Sequence, residues 1–230
     1  MRYQTSAINS QKDLKTIIKT KDYLITKAKY GPSKETKIPL KISKELSFFV
    51  ATIIGDGHLK KSKKQISIEL TDFKLLEQIQ EYCIQIFKRK FNINLVKRRD
   101  GRKQSWQIPM DSKAIYDLLN KTFEIQIGKK SHIVKVPEFI KRSNEGVKKS
   151  FLQGIMLTEG GRRRRGYGLS TASKELQEGL VDLFSDIKIP TTKDKWIYKK
   201  YKKEYYGLIF KKEYYPFLMR ECRSGQTGYV

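Results

Sequence analysis

Two apolar runs in this chain share one pattern: Phe49-Val50-Ala51-Thr52-Ile53-Ile54-Gly55-Asp56-Gly57 and Leu152-Gln153-Gly154-Ile155-Met156-Leu157-Thr158-Glu159-Gly160. Each predicts a buried helix that ends in an acid and then a glycine. The two acids stand 103 residues apart (56 to 159), and the same order of elements follows each. After Asp56, the alternation Gln65-Ile66-Ser67-Ile68-Glu69-Leu70-Thr71 predicts a half-buried strand. Asp72 is placed to cap a helix with Leu76, Ile79, Cys83, Ile86 and Phe87 on one face. Strands are expected at 93–99 and 106–110 around an Asp100-Gly101 turn, then a helix over 111–120.

The second pass predicts a strand near 167–172. Ser173 then caps a helix carrying Leu176, Leu180, Leu183, Phe184 and Ile187, and Pro190 ends it. Strands near 193–201 and 205–210 and a short helix over 214–220 complete it. The helix caps follow their acids by 16 and 14 residues (56 to 72, 159 to 173). The pattern therefore divides the chain into a first half, 44–142, and a second half, 143–230. Residues 1–43 are Lys-rich, interrupted by Pro32 and Pro39, and have no strong apolar period; they are expected to be an N-terminal extension ending where Ser43 caps the first motif helix.

Charge changes this picture. The chain has 230 residues with 49 Lys and Arg against 24 Asp and Glu, a formal net charge of +25. Such an excess attracts polyanions over long range and makes nucleic acid the leading partner. No apolar run approaches the roughly 20 residues of a spanning helix, and the N-terminus has no secretory signal. The expectation is an intracellular protein of cytoplasm, nucleoid or organelle matrix, not secreted and without a membrane partner. Cys83 reads as core packing, and the two cysteines and two histidines indicate neither a disulfide framework nor a zinc site.

Against that background a repeated carboxylate needs a reason. Ala51 with Gly55, and Gly154 with Thr158, put small residues four apart on one face of each helix, so the two backbones can approach closely. Asp56 and Glu159 would then emerge side by side, each at the helix end where the macrodipole disfavours negative charge and each raising the other's pKa. A divalent cation reverses both penalties, which points to Mg²⁺-type binding by hard oxygen ligands near a phosphodiester. The bland alternative is a pair of buried helices with glycine caps at Gly57 and Gly160.

The stretches Val50 to Gly57 and Gln153 to Gly160 resemble the signature of the LAGLIDADG homing endonucleases, in their monomeric two-motif form, over about residues 44 to 230. The resemblance implies an α+β fold of two pseudo-symmetric αββαββα halves. They would pack through the motif helices, and a pair of antiparallel sheets would form a saddle on double-stranded DNA. It implies that Asp56 and Glu159 are the metal-binding catalytic acids, one per strand, with the Gly55 and Thr158 carbonyls as auxiliary ligands. Mg²⁺ is the implied cofactor, with Mn²⁺ or Ca²⁺ able to substitute in binding. The implied reaction is a site-specific double-strand break with short 3′ overhangs in a long target, as in intron homing. The alternative within the resemblance is an RNA-binding intron maturase or a non-cleaving DNA-binding protein. Two departures stand out: Ala51 replaces a usual glycine, and Leu70-Thr71 and Thr171-Ala172 lie where many members carry Lys or Gln. The second bears on cleavage more than on metal binding; Arg162, three residues past Glu159, could supply a compensating charge. Met1 and the Gly228-Tyr229-Val230 end lead to the expectation of a free-standing chain, without the Cys start and Asn-terminated end of an intein.

The candidate DNA contacts follow from the basic segments. Lys97, Arg98, Arg99, Arg102 and Lys103 fall on the first predicted hairpin, and Lys193, Lys195 and Lys199 occupy the matching place in the second half. Ser105 and Gln107, opposite Trp106 and Ile108 on their strand, are candidate base readers. Arg162, Arg163, Arg164 and Arg165 read as phosphate contacts next to the second acid. Trp106, Trp196, Tyr198, Tyr205 and Tyr206 are expected mainly as core, with base stacking as the alternative. His58 is placed to touch a metal-bound water.

Overall fold

The computed structural model describes residues 14–30, 33–97, 103–198 and 202–220. Helix α1 (Lys44–Gly55) begins where the Ser43 side chain accepts from Leu46 N, and every residue from Leu46 to Ile54 is buried. A helix apolar on all sides can only be central. Strands β4 (Gly57–Lys60) and β5 (Gln65–Leu70) follow, then α2 (Phe73–Phe87) capped by Asp72. Next come β6 (Asn94–Val96), β7 (Ser105–Met110) and α3 (Lys113–Asp117), which continues as a π-helical turn over Leu118–Thr122.

A linking segment with one helical turn, α4 (Glu138–Lys141), leads to α5 (Glu145–Thr158), capped by Asn144. The plan then repeats: β8 (Gly160–Arg163), β9 (Gly166–Thr171), α6 (Lys174–Asp186), β10 (Thr192–Tyr198), β11 (Lys203–Phe210) and α7 (Tyr214–Met219). The two four-stranded antiparallel sheets have corresponding orders, β4-β5-β7-β6 and β8-β9-β11-β10. This is the two-half αββαββα arrangement expected above.

The structure corrects several expectations. Periodicity gave one strand between each motif and the next helix; there are two, because β4 and β8 are only four residues long and start at the glycine after each acid. Helix α6 closes at Asp186, with Lys188 in the left-handed region (φ 60°), before Pro190 is reached. The segment before Ser43 is not without structure. It forms a separate antiparallel sheet of β1 (Leu14–Lys19), β2 (Tyr23–Ala28) and β3 (Thr36–Pro39), whose Leu24 and Ile38 are fully buried in the common core. The Asp100-Gly101 turn lies outside the described residues. No helix among those described is long and apolar enough to cross a membrane.

Candidate nuclease centre and nucleic-acid interface

The two motif helices pack side by side and parallel. A Cβ on Gly154 would lie 2.7 Å from Ala51 Cβ and 2.8 Å from Phe48 O, so nothing larger than hydrogen fits at that crossing. One turn further on, Gly55 faces Thr158, whose Cβ would be 2.7 Å from an added methyl. Both pairs are offset by 103 residues, as the acids are, so the motifs meet in register. Ser47 Oγ donates to Val147 O (2.8 Å) and Ser150 Oγ to Lys44 O (2.7 Å), fastening the other end of the pair.

Asp56 and Glu159 consequently sit at the same end. Each is the residue that closes its helix, in nearly the same conformation (φ −96°, ψ −1° and φ −107°, ψ −6°), and each backbone N–H still bonds four residues back. Both carboxyl pKa values lie above the ordinary range. Burial is the main cause at each; at Glu159 the Asp56 charge raises it further, and Lys130 opposes the rise at both. The glycines that follow serve close backbone approach rather than a left-handed cap, since Gly57 and Gly160 lead straight into β4 and β8.

Lys130 is the residue that the sequence reading missed. It lies in the linking segment, is 8% exposed, and drives its ammonium into the end of α1. Nζ donates to the carbonyls of Ile53 (2.7 Å), Ile54 and Gly55 (2.9 Å), the groups a helix C-terminus leaves unpaired. Burial lowers its pKa to about 8, against the pull of Glu159 and Asp56. The segment is pinned on both sides: Gly128 N–H donates to Leu59 O of β4 (3.0 Å), and Val134 O accepts from Ser173 Oγ (2.6 Å). Nothing periodic marks residues 123–137, and the Lys129-Lys130 pair after Gly128 is the one signal there.

A cavity of about 380 Å³ opens on this centre, lined by Gly55, Glu159, Lys129, Lys130, Lys203 and both histidines among others. His58 thus shares this cavity with Glu159, and Thr171 and Ala172 line it too, whereas Leu70 and Thr71, their expected first-half counterparts, are not among its lining residues. Among the described residues no cluster of three or more His, Cys, Asp or Glu side chains could hold a metal. Two carboxylates plus backbone carbonyls are nevertheless hard oxygen donors that suit Mg²⁺, Mn²⁺ or Ca²⁺ if water and phosphate complete the shell. Of the two carbonyls expected as auxiliary ligands, that of Gly55 is engaged by Lys130.

The candidate DNA contacts distribute as follows. Lys97, Lys103, Lys193, Lys195 and Arg162 to Arg165 are exposed, although Lys195 pairs with Glu204 (2.9 Å) and Arg163 donates to Ser170 Oγ (3.0 Å). Arg98, Arg99, Arg102 and Lys199 lie outside the described residues. Gln107 is half-buried. Ser105 is buried and gives its hydroxyl to Glu69 Oε1 (2.7 Å), so it offers no free group to a base edge. The expectation that the strand aromatics are mostly core fails in β10, which is exposed along its whole length: Trp196 and Tyr198 are open, and Trp196 stacks on Tyr205 (6.0 Å, 14°). A second missed feature is the β4–β5 turn, where Lys60, Lys61, Lys63 and Lys64 stand opposite in plan to Arg162 to Arg165 of the β8–β9 turn.

No family model matches the chain. Among solved structures it is similar to I-DmoI in complex with DNA and Mn (TM-score 0.56, 16% identity, 80% of this chain and 98% of that one). It is also similar to I-DmoI with DNA and Ca (TM-score 0.56, 15% identity, 80% and 91%). The N-terminal LAGLIDADG domain of WhiA aligns at TM-score 0.51 and 14% identity, over 81% and 85%. In sequence, 139 residues are 31% identical to a replication factor C small subunit of Methanocaldococcus jannaschii, and 154 residues are 27% identical to a DNA polymerase of the same organism. The matches take in 60% and 66% of this chain but only 7% and 9% of those proteins.

Proposed function

We propose that this chain, which has the fold of the single-chain LAGLIDADG homing endonucleases, is a site-specific DNA endonuclease making a metal-dependent double-strand break. The observation that carries the reading is the in-register pairing of the motif helices, which brings Asp56 and Glu159 to one end beside a cavity rich in basic residues. DNA would lie across the two sheets. The exposed Lys and Arg of the hairpins and β-turns would hold phosphates, and Gln107 and the open aromatics of β10 would sit within reach of bases.

At the centre, Asp56, Glu159 and the Thr158 carbonyl would hold Mg²⁺ or a similar ion, which when bound activates water and stabilises the oxygens of the displacement. The two acids divide the work, one per strand. Lys130 keeps a positive charge at the end of α1, holds the two halves' acids in a less repulsive setting and lines the path of the scissile phosphate. His58 and His132 border the same cavity and are placed to order water there.

The test presents supercoiled DNA bearing the uninterrupted insertion locus to the protein with Mg²⁺ or EDTA, alongside Asp56→Asn and Glu159→Gln. Linear product only with metal, and nicked circles from each single variant, is the expected result. Metal-independent binding with no cutting by the unaltered protein would overturn it. That outcome belongs to the second reading, a DNA-binding protein or RNA-binding maturase of this fold that does not cut. One observation favours it: the Gly55 carbonyl, assigned above as an auxiliary metal ligand, is held by Lys130.

A further inference from the structure

Strands β10 and β11 pair without a register break, and alternation divides their side chains between two faces. Leu208 and Phe210 are buried on the helix side, where Phe210 meets Phe184 of α6 (5.3 Å between ring centres). Tyr205 and Gly207 therefore belong to the opposite face, as do their cross-strand partners Trp196 and Asp194. Tyr205 and Lys203, on that same face, line the cavity that holds Glu159. The face is thus continuous with the candidate nuclease centre.

Three details mark a formed surface rather than two stray aromatics. Trp196 and Tyr205 stack with their planes 14° apart and their ring centres at 6.0 Å. Gly207 makes room for them: a Cβ there would lie 2.9 Å from the indole ring, so Trp196 lies down on β11 because that position has no side chain. Gln177, buried on α6, donates from Nε2 to Asp194 O (3.1 Å) and Gly207 O (2.6 Å), which ties the two strands at that pair. Trp196 nevertheless stays 38% exposed, a large aromatic area left uncovered on a rigid bed. The first half has no counterpart. At the same register, 100 residues earlier, Val96 pairs with Ser105, and Gln107 stands where Gly207 does.

A flat aromatic surface beside a lysine fits a nucleobase, which has a planar face and belongs to an anionic strand. Inside a duplex each base face is covered by its neighbours, so only a base that has left the stack can use such a surface. We propose that Trp196 and Tyr205 form a platform for one unstacked base of DNA, in the strand that meets Glu159. The duplex is then opened on the second-half side alone. The inference deepens the nucleic-acid reading of this site and rests on it, but not on cutting.

Trp106 and Trp196 are the two tryptophans of the chain, so Trp106→Phe leaves Trp196 as the sole reporter. In that background, emission is followed during titration with three DNA probes. They are a duplex without a target site, the same duplex with one unpaired adenine at its centre, and a single strand of about 12 nucleotides. Quenching by the two unpaired probes is expected at concentrations about tenfold below those needed with the paired duplex. Binding measured by anisotropy of labelled probes should show Trp196→Leu and Gly207→Ala losing about tenfold in affinity for the unpaired probes, with the paired duplex held within about twofold. Trp196→Phe should keep most of the preference. Equal affinity of the unaltered protein for paired and unpaired probes, or a preference that survives in Trp196→Leu, overturns the platform. Tighter binding of the same single strand made as RNA overturns DNA as the source of the base. Failure to bind any probe overturns the nucleic-acid reading and the platform with it, whereas binding of the paired duplex without preference overturns the platform alone.

Discussion

The two motif helices end in the same backbone geometry and in equivalent acids, yet the side chains that meet carbonyls near their ends differ. At the first end an ammonium from the linking segment, Lys130, serves the carbonyls of Ile53, Ile54 and Gly55. At the second, Thr158 Oγ1 turns back on its own helix and donates to Gly154 O (3.0 Å) and Ile155 O (3.2 Å). One end is met by a charge brought from outside, whereas at the other a local hydroxyl shares a carbonyl, Ile155 O, that the Glu159 N–H already holds. Pseudo-symmetry thus holds for the scaffold and fails at the centre, so Asp56 and Glu159 are not interchangeable.

The largest expected effect concerns what the ends share. Gly154→Val would push Ala51 and the Phe48 carbonyl away and should cost about 3 kcal/mol by urea denaturation. Gly161→Val, where an added Cβ meets nothing within 4 Å, should stay within about 0.5 kcal/mol. Equal losses at the two sites would show that the helix pair is not the tight element.

Next comes the difference between the ends. Lys130→Met removes the donor of three carbonyls and should cost about 2 kcal/mol, whereas Thr158→Val, losing a bond within one helix, should cost about 0.5 kcal/mol. By freeing the Gly55 carbonyl, Lys130→Met should also tighten Ca²⁺ binding severalfold in a calorimetric titration, and the Thr158 variant should not. Destabilisation with unchanged or weaker Ca²⁺ binding would make Lys130 a helix cap only.

A smaller effect separates the acids by pH. The folded-state pKa of each is raised, so the folded protein holds protons that the unfolded chain has lost, and metal-free stability should fall as pH rises from about 4 through the raised values. Glu159→Gln should flatten that fall and raise Tm at neutral pH. Asp56→Asn should do so less, because Asp56 is the more exposed of the two and its charge is the less desolvated. Thermal melts from pH 4 to 7.5 in EDTA check the order. Smallest in stability are the turns: replacing Lys60, Lys61, Lys63 and Lys64, or Arg162 to Arg165, by Gln should change unfolding free energy by less than about 0.5 kcal/mol. Each set should still lower the salt slope of duplex binding, by up to about 3.6 if all four charges meet a phosphate.

Much of this was legible because it is local or repeated. Ser43, Asp72 and Ser173 each precede a helical apolar pattern, and all three cap as such residues do. Ala51, Gly55, Gly154 and Thr158 named the contact face of the motif helices before any packing was known. What stayed hidden depended on distant partners. Lys130 looks like any surface lysine until the linking segment is folded against α1. Ser105 follows the alternation of an exposed face, but Glu69 on the neighbouring strand draws it inward. Trp196 and Tyr198 carry the composition of a core strand, and only their place in an edge strand leaves them open. The appended sheet escaped notice because its buried positions, such as Leu24 and Ile38, are too few per strand to set a period.

Lys130 also bears on why such a site is made from one chain. In a dimer of identical subunits, whatever side chain is placed at one motif helix is copied to the other, and two ammonium groups would crowd a single pair of acids. Joining the halves covalently ends that copying. The connecting segment, held by Gly128 on one side and Val134 on the other, exists once, so its lysine can be present once. The join then shapes the centre itself, a place where an odd number of charges can be set between two equal halves.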